Sequence, residues 1–214
     1  MKKLLKIICI VMASWISTNL QAEELAADIV YLQTRWAEIK YQLPEKEQEQ
    51  AFAALVSEAE KLRASHPQEA PYLIWEGIIR STYAGAKGGL GALDQVKQAK
   101  SLFEQSIALA PDAMAGSAYT SLGSLYYQVP GWPLGFGNHE KAKTMLVKGL
   151  SYNPEGIDAN YFYGDFLLNQ KHYQQALQVF EKALAAPPRP GRESADEGRR
   201  KEIERGIAAA KKHL

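Results

Sequence analysis

The stretch from Ile157 to Pro188, IDANYFYGDFLLNQKHYQQALQVFEKALAAPP, constrains the fold most, because its pattern of small and large residues returns elsewhere in the chain. Gly164, Ala176 and Ala183 are small where one helix must approach another closely, and Phe180 is large where the space between helix pairs must be filled. Pro188 stops the second helix of the unit. A second copy lies upstream, with Tyr119, Leu122, Gly123 and Tyr126 on its first helix, Ala142, Leu146 and Gly149 on its second, and Pro154 as its stop. A weaker third runs through Leu73, Gly77, Ala99, Phe103, Ser106 and Pro111. Gly123 and Ala142, like Gly77 and Ala99, stand further apart than Gly164 and Ala176. The two upstream copies therefore carry insertions between their helices, over Val129 to Asn138 and around AGAKGGLG. One helix pair of this kind cannot bury its apolar face alone, so neighbouring copies must stack and share a core.

These positions resemble the tetratricopeptide repeat, W-x₂-L-G-x₂-Y…A-x₃-F…P with a period of about 34 residues. Tyr163 and Gly164 stand for L-G, Leu167 for the Tyr, and Ala176, Phe180, Ala183 and Pro188 for the remainder. Asn160 departs from the pattern, since an aromatic is usual there. The resemblance implies an all-α fold, a right-handed solenoid of stacked antiparallel hairpins. The chain divides accordingly into a leader (1–22), a degenerate N-terminal hairpin (23–69), three repeat hairpins (70–111, 112–154 and 155–188), and a proline-rich connector with a capping helix (189–214).

The leader reading rests on Lys2, Lys3 and Lys6, the apolar run from Ile7 to Ile16, and Leu20-Gln21-Ala22, the order of a secretory signal peptide cleaved after Ala22. The apolar run is shorter than the ~20 residues a spanning helix needs, so no stable membrane span is expected after cleavage. Cys9 lies outside any convincing lipoprotein box and would leave with the leader, so the exported, periplasmic protein has no cysteine. The whole chain carries 25 Lys and Arg against 24 Asp and Glu, a near balance that gives no basic stripe for nucleic acid.

Within the mature chain, Leu25, Ile29, Leu32, Trp36, Ile39 and Leu43 recur at steps of four and three, predicting an amphipathic helix over Glu24 to Gln42 that Pro44 ends. A second helix follows through Phe52, Leu55, Ala59 and Leu62 to His66-Pro67. The next pair is expected over Ala70 to Ala84 and Asp94 to Leu109, joined by Gly85 to Gly91. That glycine cluster lacks the G-x-x-x-x-G-K-[ST] pattern and reads as a flexible turn, not a phosphate loop. After the helix Ala113 to Gln128 comes VPGWPLGFGN, too rich in proline and glycine for regular structure, yet too apolar for a solvated linker. Its rings either fold back over their own hairpin or line a ligand site or subunit contact. Asn138 is the expected N-cap for the helix that follows, His139 to Leu150. At the C-terminus, Ser194 to Glu197 matches a capping box, and Asp196 with Arg200 and Glu197 with Lys201 are i,i+4 pairs that predict a solvated face.

No catalytic set emerges. His66, His139, His172 and His213 lack the spacing of a zinc motif, G-x-S-x-G is absent, and no metal or cofactor is expected. If the first helices line the concave surface, as the resemblance implies, that surface carries Ile74, Ile78, Thr82, Thr120, Ser124, Tyr127, Gln128, Tyr161, Asp165 and Asn169. It offers no Lys or Arg of the kind that carboxylate-clamp repeats use to hold a peptide C-terminus. The expected function is a periplasmic, non-enzymatic scaffold binding a protein or peptide through Tyr127, Tyr161, Asp165 and Asn169, with Trp132 and Phe136 of the neighbouring loop. A second resemblance rests on the export signal, the long insertions and P-L-G-x-G-x-x-x-K-A at Pro133 to Ala142. It is to the periplasmic T-component associated with TRAP transporters, and implies a homo-oligomer that handles a small ligand with a substrate-binding protein. An enzyme of unknown type is the remaining alternative.

Overall fold

The computed structural model describes residues 27–89 and 91–214, so the expected leader and its cleavage site lie outside the described residues. All regular structure among them is helical. Helix α1 covers residues 27–41, followed by α2 (Glu45–Ser65), α3 (Ala70–Lys87), α4 (Gly91–Leu109), α5 (Ala113–Gln128), α6 (His139–Tyr152), α7 (Ile157–Asn169), α8 (Tyr173–Leu184) and α9 (Glu193–Lys211). The main packing pairs are α3 with α4, α5 with α6 and α7 with α8, and each pair stacks on the next.

One contact recurs in every repeat pair. A small residue of the first helix faces a large one of the second: a Cβ added to Gly77 would meet Phe103 at 2.5 Å, to Gly123 Leu146 at 2.7 Å, and to Gly164 Phe180 at 2.8 Å. Glycine is needed here because the large side chain of the second helix lies directly on the backbone of the first. Ala99, Ala142, Ala176, Ala183 and Ser106 are wholly buried in the same seams, and a Cβ on Gly149 would collide with Thr120. The spacing in the sequence thus translates directly into packing.

The two insertions take different forms. Around the glycine cluster the residues lengthen the helices: α3 continues to Lys87, α4 begins at Gly91, and Gly88 and Gly89, both at positive φ, make the short turn. The insertion after α5 is a true loop. Helix α5 has its own irregularity, since Met114, Ala115 and Gly116 are left-handed and regular helical geometry begins after them. Gly116 there lies against Tyr152, whose ring stacks on Tyr119.

A buried ionic network joins the N-terminal pair to the first repeat. Glu76 is 1% exposed and Arg80 3%. Arg80 Nε donates to Glu76 at 2.8 Å and Nη1 to Gln95 of α4 at 2.7 Å, while Arg63 and Glu60 of α2 pair with Glu76 and Arg80 respectively. Nothing in the repeat pattern signals these charges, because they occupy positions where an apolar residue would also fit.

Helix α9 caps the stack with one solvated charged face, and its other face does more than cap. Its second half completes the stack: Gly206 packs on Phe180 from the side opposite Gly164, with a would-be Cβ at 2.6 Å, and Ile203 and Ala210 are fully buried. Its first half reaches the other end of the molecule. Ala195 belongs to the core of α1, α2 and α3, Gly198 lies against Tyr41, and Gln42 Nε2 donates to Ser194 Oγ at 2.9 Å. Ser194 is therefore engaged by α1, and Arg192 stands at the N-cap without a side-chain cap bond, so the expected capping box does not form. Of the two expected i,i+4 pairs, Glu197 with Lys201 exists at 2.6 Å. Asp196 is buried on Arg189 instead, and Arg200 donates to the carbonyls of Leu184 and Ala186. The C-terminal helix closes the solenoid onto its own first helix.

Candidate partner-binding surface

The closure encloses a cleft of about 980 Å³. Thr82 of α3, Thr120, Ser124 and Gln128 of α5, and Tyr161 of α7 all line it, as does Ile78. The other residues expected on the concave face lie elsewhere. Ile74 is fully buried. Tyr127 is 7% exposed and donates its hydroxyl to Asp165 at 2.6 Å, so both groups join α5 to α7. Burial, reinforced by the Asp165 charge, raises the Tyr127 hydroxyl well above its usual pKa, and burial also raises Asp165. Asp165 and Tyr161 border a smaller hollow of about 280 Å³ against α9, and Asn169 sits exposed at the end of α7 beside Gln170.

The C-terminal connector and α9 supply a further part of the lining. Asp158 accepts from Arg189 Nη1 at 2.6 Å and from Arg199 Nε at 2.8 Å. Arg199 also pairs with Glu202 at 2.6 Å, and Glu202 accepts the Tyr41 hydroxyl at 3.2 Å, so one chain of contacts joins α7, α9 and α1. Burial would push the Asp158 carboxyl up, but the Arg199 and Arg189 guanidiniums beside it prevail and hold it well below the usual carboxylate range. Arg199 lies 4.2 Å from the Tyr161 ring centre, and burial pushes that hydroxyl up to about 12. The first helices of the repeats place no cation on this surface. The arginines of PPRPGRE and the helix after it reach the cleft through a tertiary closure that no periodicity announces.

At the rim stands the loop 129–138, whose two alternatives divide by residue. Its base is locked: Asn138 N donates to Tyr126 O at 2.7 Å, Gly137 N to Pro130 O at 3.0 Å, and Asn138 Oδ1 accepts from Lys141 N at 2.9 Å as the N-cap of α6. Phe136 packs back on the core and meets the Tyr126 ring edge-on at 5.8 Å. A Cβ on Gly137 would fall 1.9 Å from the Val129 carbonyl, so only glycine fits this crossing. The tip is open. Trp132 is 90% exposed and Leu134 72%, and Leu134 also borders the cleft.

Residues 134–192 match the family model described as tetratricopeptide repeat. The matched segment takes in the end of the loop, α6, the hairpin α7–α8 and the connector. These residues carry a tetratricopeptide repeat, and the described chain around them is an all-helical stack of paired helices. Two solved structures of MamA, one of a mutant and one labelled AMB-1, are each 22% identical to it, with TM-scores of 0.43 and 0.42. They cover 87% and 86% of this chain and 97% and 90% of their own. No curated protein matches the sequence. No helix among the described residues is long and apolar enough to cross a membrane.

Proposed function

We propose that this is an exported, non-enzymatic binding protein that captures a protein partner through the tip of the loop 129–138. The observation that carries the reading is the contrast within that loop. A locked base holds Trp132 and Leu134 in solvent, although burying such side chains is worth about 1.5–3 kcal/mol each. A rigid aromatic anchor costs little entropy on binding, and tryptophan is over-represented among residues that dominate interface energy. The partner this tip fits is a folded protein with an apolar pocket, with the hydroxyl-lined rim of the cleft supplying polar contacts around it.

Capture from a periplasmic extract tests this, comparing the mature protein with the W132A/L134A double variant. A protein retained by the first and lost by the second, at equal helical content, is the expected result. Equal retention by both would remove the loop tip from the function, and so would the absence of any specific capture by the wild-type chain.

A further inference from the structure

The cleft has a chemistry of its own, independent of the loop tip. Four cations line it, Lys40, Arg189, Arg192 and Arg199, against three carboxylates, Glu45, Asp158 and Glu202. Arg189 and Arg199 are consumed by Asp158, Asp196 and Glu202. Arg192 and Lys40 have no ion pair among the described residues. Arg192 lies over the Trp75 ring at 5.3 Å, and its Nε is buried without an acceptor. Trp75, 3% exposed and also part of the wall, has its indole N–H likewise buried without an acceptor. Native proteins rarely leave such donors orphaned, because a buried donor without an acceptor loses its hydrogen bond to water and gains nothing in return. This part of the wall is short of both negative charge and acceptor atoms.

We propose that the cleft is a binding site for a small organic carboxylate with an apolar body, its charge held by Arg192 with Lys40 and its body against Trp36, Ile78 and Phe162. Charge decides against a cationic ligand, since the carboxylates nearest the free guanidinium already serve other arginines. Size agrees with a small molecule, because ligand cavities run to about 300–1,000 Å³. The Thr120 hydroxyl is a further donor in the lining, whereas those of Thr82 and Ser124 already donate to the Ile78 and Ser121 carbonyls. Burial, and then the neighbouring Arg189 charge, lower the pKa of Arg192, with Asp158, Asp196 and Tyr41 acting in the opposite direction. An anion seated there relieves a cation that the protein leaves undercompensated.

Trp36 and Trp75 make the site self-reporting once the exposed indole is removed by W132F. Acetate, benzoate, phenylacetate, indole-3-acetate and octanoate would be titrated at millimolar concentration into the mature W132F protein, following fluorescence for the non-indole acids and calorimetry for all. Phenylacetamide and inorganic phosphate serve as the neutral and inorganic controls, and a short apolar peptide with a free C-terminus as the peptide control. At least one of the larger acids should bind saturably, and about tenfold or more tighter than its amide. Arg192→Met should weaken it about tenfold or more with an unchanged melting temperature, and Arg192→Lys should restore part of the affinity. The proposal is overturned if no acid binds, if amide and acid bind equally, if phosphate or the peptide binds more tightly than every acid, or if Arg192→Met binds like the parent. None of these outcomes depends on Trp132 or on a protein partner.

Discussion

Gly198 of α9 lies so close to Tyr41 of α1 that a Cβ on the glycine would fall 2.4 Å from the ring. The two residues come from opposite ends of the described chain, and their contact turns an open stack into a closed one. Gly198→Ala should therefore lower stability by about 1–3 kcal/mol, the usual cost of overpacking, and loosen the C-terminal helix. Gly85→Ala, at an exposed position inside α3 with nothing within 4 Å of the new atom, should raise it by about 0.5–1 kcal/mol. Urea midpoints of the two variants shifting the same way would contradict this geometry.

The loop 129–138 should separate cleanly into anchor and tip. Phe136→Ala removes a ring packed on Tyr126 and should cost about 1–3 kcal/mol, less than a fully buried phenylalanine because Phe136 is only partly covered. Trp132→Ala should leave the melting temperature within error, because the side chain is 90% exposed. Thermal unfolding of the two single variants decides the matter without knowledge of any partner.

The buried ionic network should matter far more than the charges on the surface of α9. Glu76→Gln strips the buried Arg80 of its buried carboxylate partner and should destabilise by about 3 kcal/mol, as breaking a buried pair usually does. Lys201→Ala, which removes an exposed pair with Glu197, should leave the denaturation midpoint in place. Chemical denaturation of both variants is the measurement.

Acid should open the closure. Asp158 has a folded-state pKa below its unfolded value of about 3.9, so the stability it contributes is present above that value and is lost as pH falls toward the lowered one. The wild-type protein should lose stability below about pH 4 more steeply than Asp158→Asn, which has nothing left to protonate there. Parallel pH profiles of melting temperature would show that Arg189 and Arg199 gain nothing from this carboxylate.

Overpacking the seam provides a check on the repeat register. Ala176 is wholly buried where α8 meets α7, and Ala176→Leu should cost about 1–3 kcal/mol. An unchanged urea midpoint would be incompatible with the packing around Gly164 and Phe180.

What the sequence by itself determined is the repeat. Gly77, Gly123 and Gly164 against Phe103, Leu146 and Phe180 are local periodic choices, and helix pairing follows from spacing because contacts between consecutive helices are set by a few residues along each face. The prolines and glycines of the loop 129–138 also announced an irregular segment, though not which ring would turn inward. Only the tertiary structure decided that Phe136 packs while Trp132 stands free, that Tyr127 and Asp165 bond to each other, and that α9 returns to α1. The physical reason is the same in each case. A periodic pattern says which face of a helix is apolar, but not which distant surface will meet it, and Tyr41 finding Gly198, or Arg192 finding Trp75, depends on the accumulated rotation of every hairpin between them.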